Sequence, residues 1–124
     1  MDYRHLLGVD FHSSVRYNDD GVSMLLSVSE IKTVVEPIVK NTGVEKIVLF
    51  GSYAKGIASE SSDIDLCMYS NRTITGFAFY DLKSKFEDAF NVDIDLFPDV
   101  NIVPNSPIEQ QISESGVVIY ERQR

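Results

Sequence analysis

The chain is short of the residues that build disulfides, zinc sites and membrane spans. It carries one cysteine, Cys67, so no internal disulfide framework can form, and a lone thiol fits a reducing cytoplasm. Its two histidines, His5 and His12, both fall in the first dozen residues, which leaves a zinc site without its usual nitrogen and sulfur ligands. No apolar run approaches the roughly 20 residues that a membrane-spanning helix needs. The opening Met1-Asp2-Tyr3-Arg4-His5 is too polar to start a secretory leader. Positive charge is scarce as well: 11 Lys and Arg against 19 Asp and Glu leave a formal net charge of −8. Long nucleic acids are gripped through clustered Lys and Arg and are therefore disfavoured as the main partner. A mononucleotide is not excluded, because backbone amides and a divalent cation can hold its phosphates.

A length of 124 residues, 44% hydrophobic and 24% charged, gives room for one soluble domain. Residues 1–23 show no sustained period and contain the turn-like Asn18-Asp19-Asp20-Gly21. They read as an N-terminal extension, a loosely docked arm, ahead of a domain spanning 24–124. From Ser27 the pattern sharpens. Ser27 with Glu30 forms a capping box, each side chain bonding the other's free backbone N–H. Ile31, Val34, Val35, Ile38 and Val39 follow at helical spacing, with a kink expected at Pro37 and a stop at Gly43.

Lys46–Phe50 reads as a buried strand closed by Gly51-Ser52, and the stretch through Ser62 as a polar loop with room for one helical turn. Asp63–Tyr69 is a second strand. Phe79, Leu82, Phe86, Ala89 and Phe90 mark a helix face, and Val92–Phe97 is a third strand. Ser106-Pro107-Ile108-Glu109 is a second capping box, opening a helix that stops at Gly116 before a last strand, Val117–Tyr120. The order predicts an α/β (α+β) domain: a small mixed β-sheet with helices packed on one face.

The chemistry is concentrated between Gly51 and Asp65. A strand delivers the chain to Gly51, which lets backbone approach a ligand because it has no Cβ. Ser52 adds a hydroxyl and, if a helical turn starts there, free N–H groups that favour phosphate. Ten residues later the chain returns with Asp63 and Asp65, two apart and so on one strand face. Asp93 and Asp95 repeat the device on the third strand. If those strands are neighbours, three or four carboxylates crowd together. Like charges about 4 Å apart repel by roughly 4 kcal/mol at an effective dielectric near 20. A divalent cation relieves this, and all-oxygen ligation suits Mg²⁺ or Mn²⁺ with phosphates completing the shell.

A lone Asp-x-Asp is more often a solvated sheet face and a lone Gly-Ser usually a turn; their combination at this spacing is the informative feature. Competing motifs fail. Gly51 and Gly56 have the spacing of a P-loop, but Ile57-Ala58 stand where Lys-Ser/Thr is required. No dinucleotide fingerprint occurs. Cys67 reads as a small packing residue on the Asp63/Asp65 strand, not as a nucleophile.

The segment GSYAKGIASESSDIDL resembles the signature of the DNA polymerase β-like nucleotidyltransferase superfamily, Gly-Ser, ten residues, Asp-x-Asp. The flanking KIVLFGSYAKG and FEDAFNVDIDLF look like its minimal nucleotidyltransferase (MNT) group, and the resemblance covers about residues 27–121. It implies that Gly51 and Ser52 bind the triphosphate and that Asp63 and Asp65 bind two Mg²⁺ ions. It further implies a third metal-binding carboxylate that helps deprotonate the acceptor; matching the motif gives Asp95, with Asp93 the alternative. Lys55 stands where the family usually has arginine, which keeps the charge and loses the bidentate fork. A phosphate contact and loop solubility are equally open for it.

The implied reaction is attack of an acceptor hydroxyl on the α-phosphate of a nucleoside triphosphate, ATP by analogy. MNT proteins typically pair with a helical HEPN-type toxin, and the pair works as a toxin–antitoxin module in which a toxin tyrosine is adenylylated. The closing strand runs almost to Arg124, so the acceptor is expected on a separate protein, in a homo- or hetero-oligomer. Two other readings stay open: a non-catalytic antitoxin that neutralises by binding, and an adenylyltransferase subunit for a small molecule of the aminoglycoside kind.

Overall fold

The computed structural model describes residues 15–17 and 23–123. Of the expected N-terminal arm, only a short antiparallel hairpin is described, β1 (Val15–Tyr17) against β2 (Ser23–Leu25). The remainder of residues 1–23 lies outside the described residues.

Helix α1 (Val28–Val39) starts where the capping box requires. Glu30 N–H donates to Ser27 Oγ at 3.1 Å, and Ser27 N–H donates to Glu30 Oε1 at 3.0 Å. Its apolar stripe Ile31, Val34, Val35, Ile38 and Val39 is buried as the spacing demands. The stop comes earlier than expected. The helix ends at Val39, and Asn41, not Gly43, takes the left-handed conformation (φ 67°), which asparagine tolerates. Gly43 instead lets the distant loop that carries Thr73 come close: a Cβ there would lie 2.5 Å from Thr73 Oγ1.

The chain continues through β3 (Lys46–Phe50), the five-residue helix α2 (Gly51–Lys55), β4 (Ile64–Tyr69), α3 (Phe77–Phe90) and β5 (Ile94–Pro98). A 3₁₀ turn (Asp99–Asn101), α4 (Pro107–Ser115) and β6 (Val117–Glu121) follow. Among these, β3 to β6 form a four-stranded sheet in the order β5-β4-β3-β6. Strand β3 runs antiparallel to both β4 and β6. The crossover through α3 makes β4 and β5 parallel, as a βαβ unit must. The mixed sheet expected from the sequence is therefore present.

Alternation along the strands sorts the side chains. Ile47 and Leu49 of β3, Ile64, Leu66 and Met68 of β4, and Ile94 and Leu96 of β5 join the buried residues of α1 and α3 in one core. The two long helices thus share a face, as expected. The opposite face is not bare. Val48, Phe50 and Cys67 form a second, smaller cluster there, covered by Phe97, Ile102, Ile108 and Ile112. This covering includes α4, which extends the one-face arrangement. Helix α4 is capped by Ser106, whose hydroxyl accepts from Glu109 N–H at 3.2 Å. The return bond from Glu109 reaches the N–H of Asn105 at 2.9 Å, one residue before the partner a full capping box uses.

Candidate active site

The register of the two acidic strands builds the site. In the parallel β4–β5 pair Ile64 faces Ile94 and Asp65 faces Asp95. Because successive side chains alternate, Asp65 and Asp95 point to the face of the second cluster, away from α1 and α3. The two side chains lie within hydrogen-bonding reach of each other. Two carboxyls can bond in this way only while a proton lies between them.

Asp65 is half-buried while Asp95 is exposed. Burial first, then the bond to Asp95, then the charges of Asp95 and Asp63 push the Asp65 carboxyl from 3.8 up to about 6. All four causes act in one direction. The pair is a place where negative charge is held against its preference, and a cation or a proton must relieve it.

Asp63 and Asp93 sit one step before their strands. The sequence placed both inside them, but β4 starts at Ile64 and β5 at Ile94. The residue after Asp63 is tied to Asp93 through the backbone: Ile64 N–H donates to the Asp93 carbonyl at 3.3 Å. Both side chains are exposed. Asp63 is close enough for its charge to act on Asp65. Among the described residues, no three side chains of His, Cys, Asp or Glu converge tightly enough to enclose an ion by themselves. Mg²⁺ usually takes one or two carboxylates and completes its octahedron with water and substrate phosphate. The hard oxygen set and the strained Asp65–Asp95 pair therefore fit such an ion.

The Gly-Ser bend lies directly against this pair. Phe50, the last residue of β3, is opposite Asp65 in the antiparallel ladder, so Gly51 leaves the sheet beside the carboxylate. Gly51 has φ +75°, and a Cβ on it would collide with Asp65 Oδ2 and stand 3.1 Å from Asp65 Cγ. Glycine is required here twice, for the backbone conformation and for the room. Helix α2 begins at Gly51, and its cap residue Phe50 makes no side-chain hydrogen bond. Ser52 is half-buried in the first turn and Lys55 exposed in the last; three apart, they share one side of the helix.

On the same sheet face as Asp65, Cys67 is fully buried, and burial pushes its thiol up to about 11. It is a neutral packing group, as its sequence context suggested. Phe50 and Phe97 flank it, ring centroids 5.7 Å apart, and form an apolar floor next to the carboxylates. Sequence reasoning missed the serine cluster that leads into Asp63. Its signal was the run Ser59-Glu60-Ser61-Ser62, whose residue types favour side-chain-closed turns.

A small mixed sheet thus carries paired carboxylates on adjacent strands beside a glycine-opened helix start. The chain belongs to the polymerase beta nucleotidyltransferase family, whose profile matches residues 32–124. A Methanocaldococcus jannaschii protein, provisionally named a protein adenylyltransferase, is 34% identical over 74 residues, covering 56% of this chain and 86% of that protein. The protein adenylyltransferase MntA of Shewanella oneidensis is 38% identical over 50 residues, 40% of this chain and 36% of its own length. Among solved structures, a toxin–antitoxin complex crystallised with AMP-PNP superposes with a TM-score of 0.61 at 25% identity, covering 74% of each chain.

Proposed function

We propose that this nucleotidyltransferase moves AMP from ATP to a tyrosine hydroxyl of a partner toxin of the HEPN type, and so acts as an antitoxin. The observation that carries the reading is the Asp65–Asp95 pair, level across two parallel strands and pressed against Gly51. The names of the relatives supply the acceptor class, and the nucleotide analogue in the superposed complex supports ATP as donor.

Each residue has a part. Ser52, with the opening N–H groups of α2, receives the triphosphate at the helix start, and Lys55 neutralises phosphate charge from the same side. Asp63, Asp65 and Asp95 would hold two Mg²⁺ ions, with Asp93 the alternative third ligand. When bound, these cations would stabilise the attacking and leaving oxygens of the in-line displacement. Asp95, exposed on the open side of the pair, takes the proton of the acceptor hydroxyl. The new O–P bond forms at the α-phosphate as the bond to the β-phosphate oxygen breaks, and pyrophosphate leaves. Helices α1 and α3 cover the other face of the sheet, so the acceptor approaches from the acidic face.

The test is direct. The protein is mixed with the product of the adjacent gene, labelled ATP and Mg²⁺, and the partner is examined by mass spectrometry for an adenylyl group on tyrosine. Asp63→Asn and Asp65→Asn should each abolish transfer while the partner still binds. Binding and neutralisation with no label transferred would favour the non-catalytic antitoxin, and transfer only to a small hydroxylated compound would favour the small-molecule enzyme.

A further inference from the structure

Of the three carboxylates assigned to metal, Asp63 has the least to hold it. Asp65 and Asp95 are fixed by the β4–β5 ladder. Asp63 precedes the first residue of β4 and is exposed. A carboxylate on free backbone would swing away from two like charges, since separation lowers their repulsion. Something outside the sheet has to hold it in place.

The four residues ahead of Asp63 are closed on themselves. Ser62 N–H donates to the Ser59 carbonyl at 3.0 Å. Ser59 N–H donates to Ser62 Oγ at 2.8 Å, so backbone and side chain bind the same two residues in both directions. Ser59 Oγ also lies 3.1 Å from Ser61 Oγ and 3.4 Å from Ser62 Oγ. A turn closed by three hydroxyls ends at the residue bonded to Asp63. At the far side of Asp63, Ile64 N–H is tied to the Asp93 carbonyl. The aspartate is thus suspended between two anchored neighbours.

We infer that the Ser59–Ser62 turn is a positioning device for Asp63, and that Ser59 and Ser62 are positioning residues for the metal site. The turn fixes the backbone on the N-terminal side of Asp63, so its carboxylate faces the Asp65–Asp95 pair before any cation arrives. Pre-ordering of this kind lowers the entropy lost on binding. Neither serine needs to touch metal or nucleotide. The inference rests on the assignment of Asp63 as a metal carboxylate.

The test uses the full chain and Mn²⁺ alone, with free Mn²⁺ read by electron paramagnetic resonance. The Ser59→Ala/Ser62→Ala double variant should bind Mn²⁺ about three- to tenfold more weakly, and Ser62→Thr, which keeps the hydroxyl, should bind as the wild type does. Amide exchange at Asp63 and Ile64 should quicken in the double variant while the melting temperature stays close to that of the wild type. In an Asp63→Asn background the serine substitutions should cause no further loss, because their effect passes through that carboxylate. Wild-type Mn²⁺ affinity in the double variant, or an equal loss with and without Asp63, overturns the inference. A wild-type protein that binds Mn²⁺ in the expected serine-dependent way yet transfers no nucleotide would sink the proposed function and uphold the turn.

Discussion

Replacing Asp65 by asparagine should stabilise the metal-free protein while destroying its activity. The carboxyl sits at about 6 instead of 3.8, raised by burial, by the bond to Asp95 and by the charges of Asp95 and Asp63. Taken whole, a shift of about two units corresponds to about 3 kcal/mol. The side chain is only partly buried, and screening reduces the useful part to about 1 kcal/mol. Because the folded value is raised, this stability is fully present below the unfolded value near 4 and is lost as pH rises through 6. Asparagine has nearly the same shape, carries no charge, and can donate its amide to Asp95.

In EDTA at pH 7.5, Asp65→Asn should therefore melt about 3–6 °C above the wild type, the shift that about 1 kcal/mol gives in a domain of this size. At pH 4 the two should coincide. With saturating Mg²⁺ the order should narrow or reverse, since only the wild type gains the binding free energy of the ion. Thermal melts across this grid of pH and metal need no partner protein. A variant less stable than wild type by 1 kcal/mol or more in EDTA at neutral pH would refute the reasoning. It would mean that the carboxylate is held by favourable bonds and not against repulsion.

The remaining predictions use the same geometry. Gly51→Ala should lose about 1–2 kcal/mol through its positive φ alone, and its methyl group should displace the Asp65 carboxylate, so transfer should fall more than 100-fold; urea titration and the adenylylation assay measure the two effects. Asp95→Asn should cost far more activity than Asp93→Asn, because only Asp95 is level with Asp65; if Asp93→Asn were the more damaging in single-turnover assays, the third ligand would be the alternative one. Mg²⁺ and Mn²⁺ affinity should fall as pH drops through about 6, where Asp65 gains a proton; titrations from pH 5 to 8 that gave a flat affinity would contradict this.

Much of the layout was readable because it depends on local rules. The Ser27 and Glu30 types at their spacing fix the start of α1, and alternation in DIDL and VDID fixes which side chains are core. The α1 stop was misread because glycine was preferred over asparagine for the left-handed position; Gly43 is needed for a contact with Thr73, thirty residues away, which no local pattern encodes. Extension of the helical cover to the second face was hidden for a similar reason. Ile102, Ile108 and Ile112 are partly buried against a cluster as small as Val48, Phe50 and Cys67, and their spacing alone does not say which side of the sheet they cover.

The site divides along the same line. Two aspartates at i and i+2 must share a face, so the sequence could place Asp65 with Asp63 and Asp95 with Asp93. It could not give the register between the strands, and that register decides the chemistry. A slip of one residue in the β4–β5 pairing would set Asp65 beside Ile94 or Leu96 and send Asp95 to the opposite face. The pair would then neither share a proton nor repel, and Gly51 would lie against a lone carboxylate with no strain for a cation to relieve. The core prevents that slip: Ile64, Leu66, Ile94 and Leu96 must all enter the layer under α1 and α3. Burial of four apolar side chains thus sets the position of two charged ones, and the acidic pair is held together by residues on the other side of the sheet.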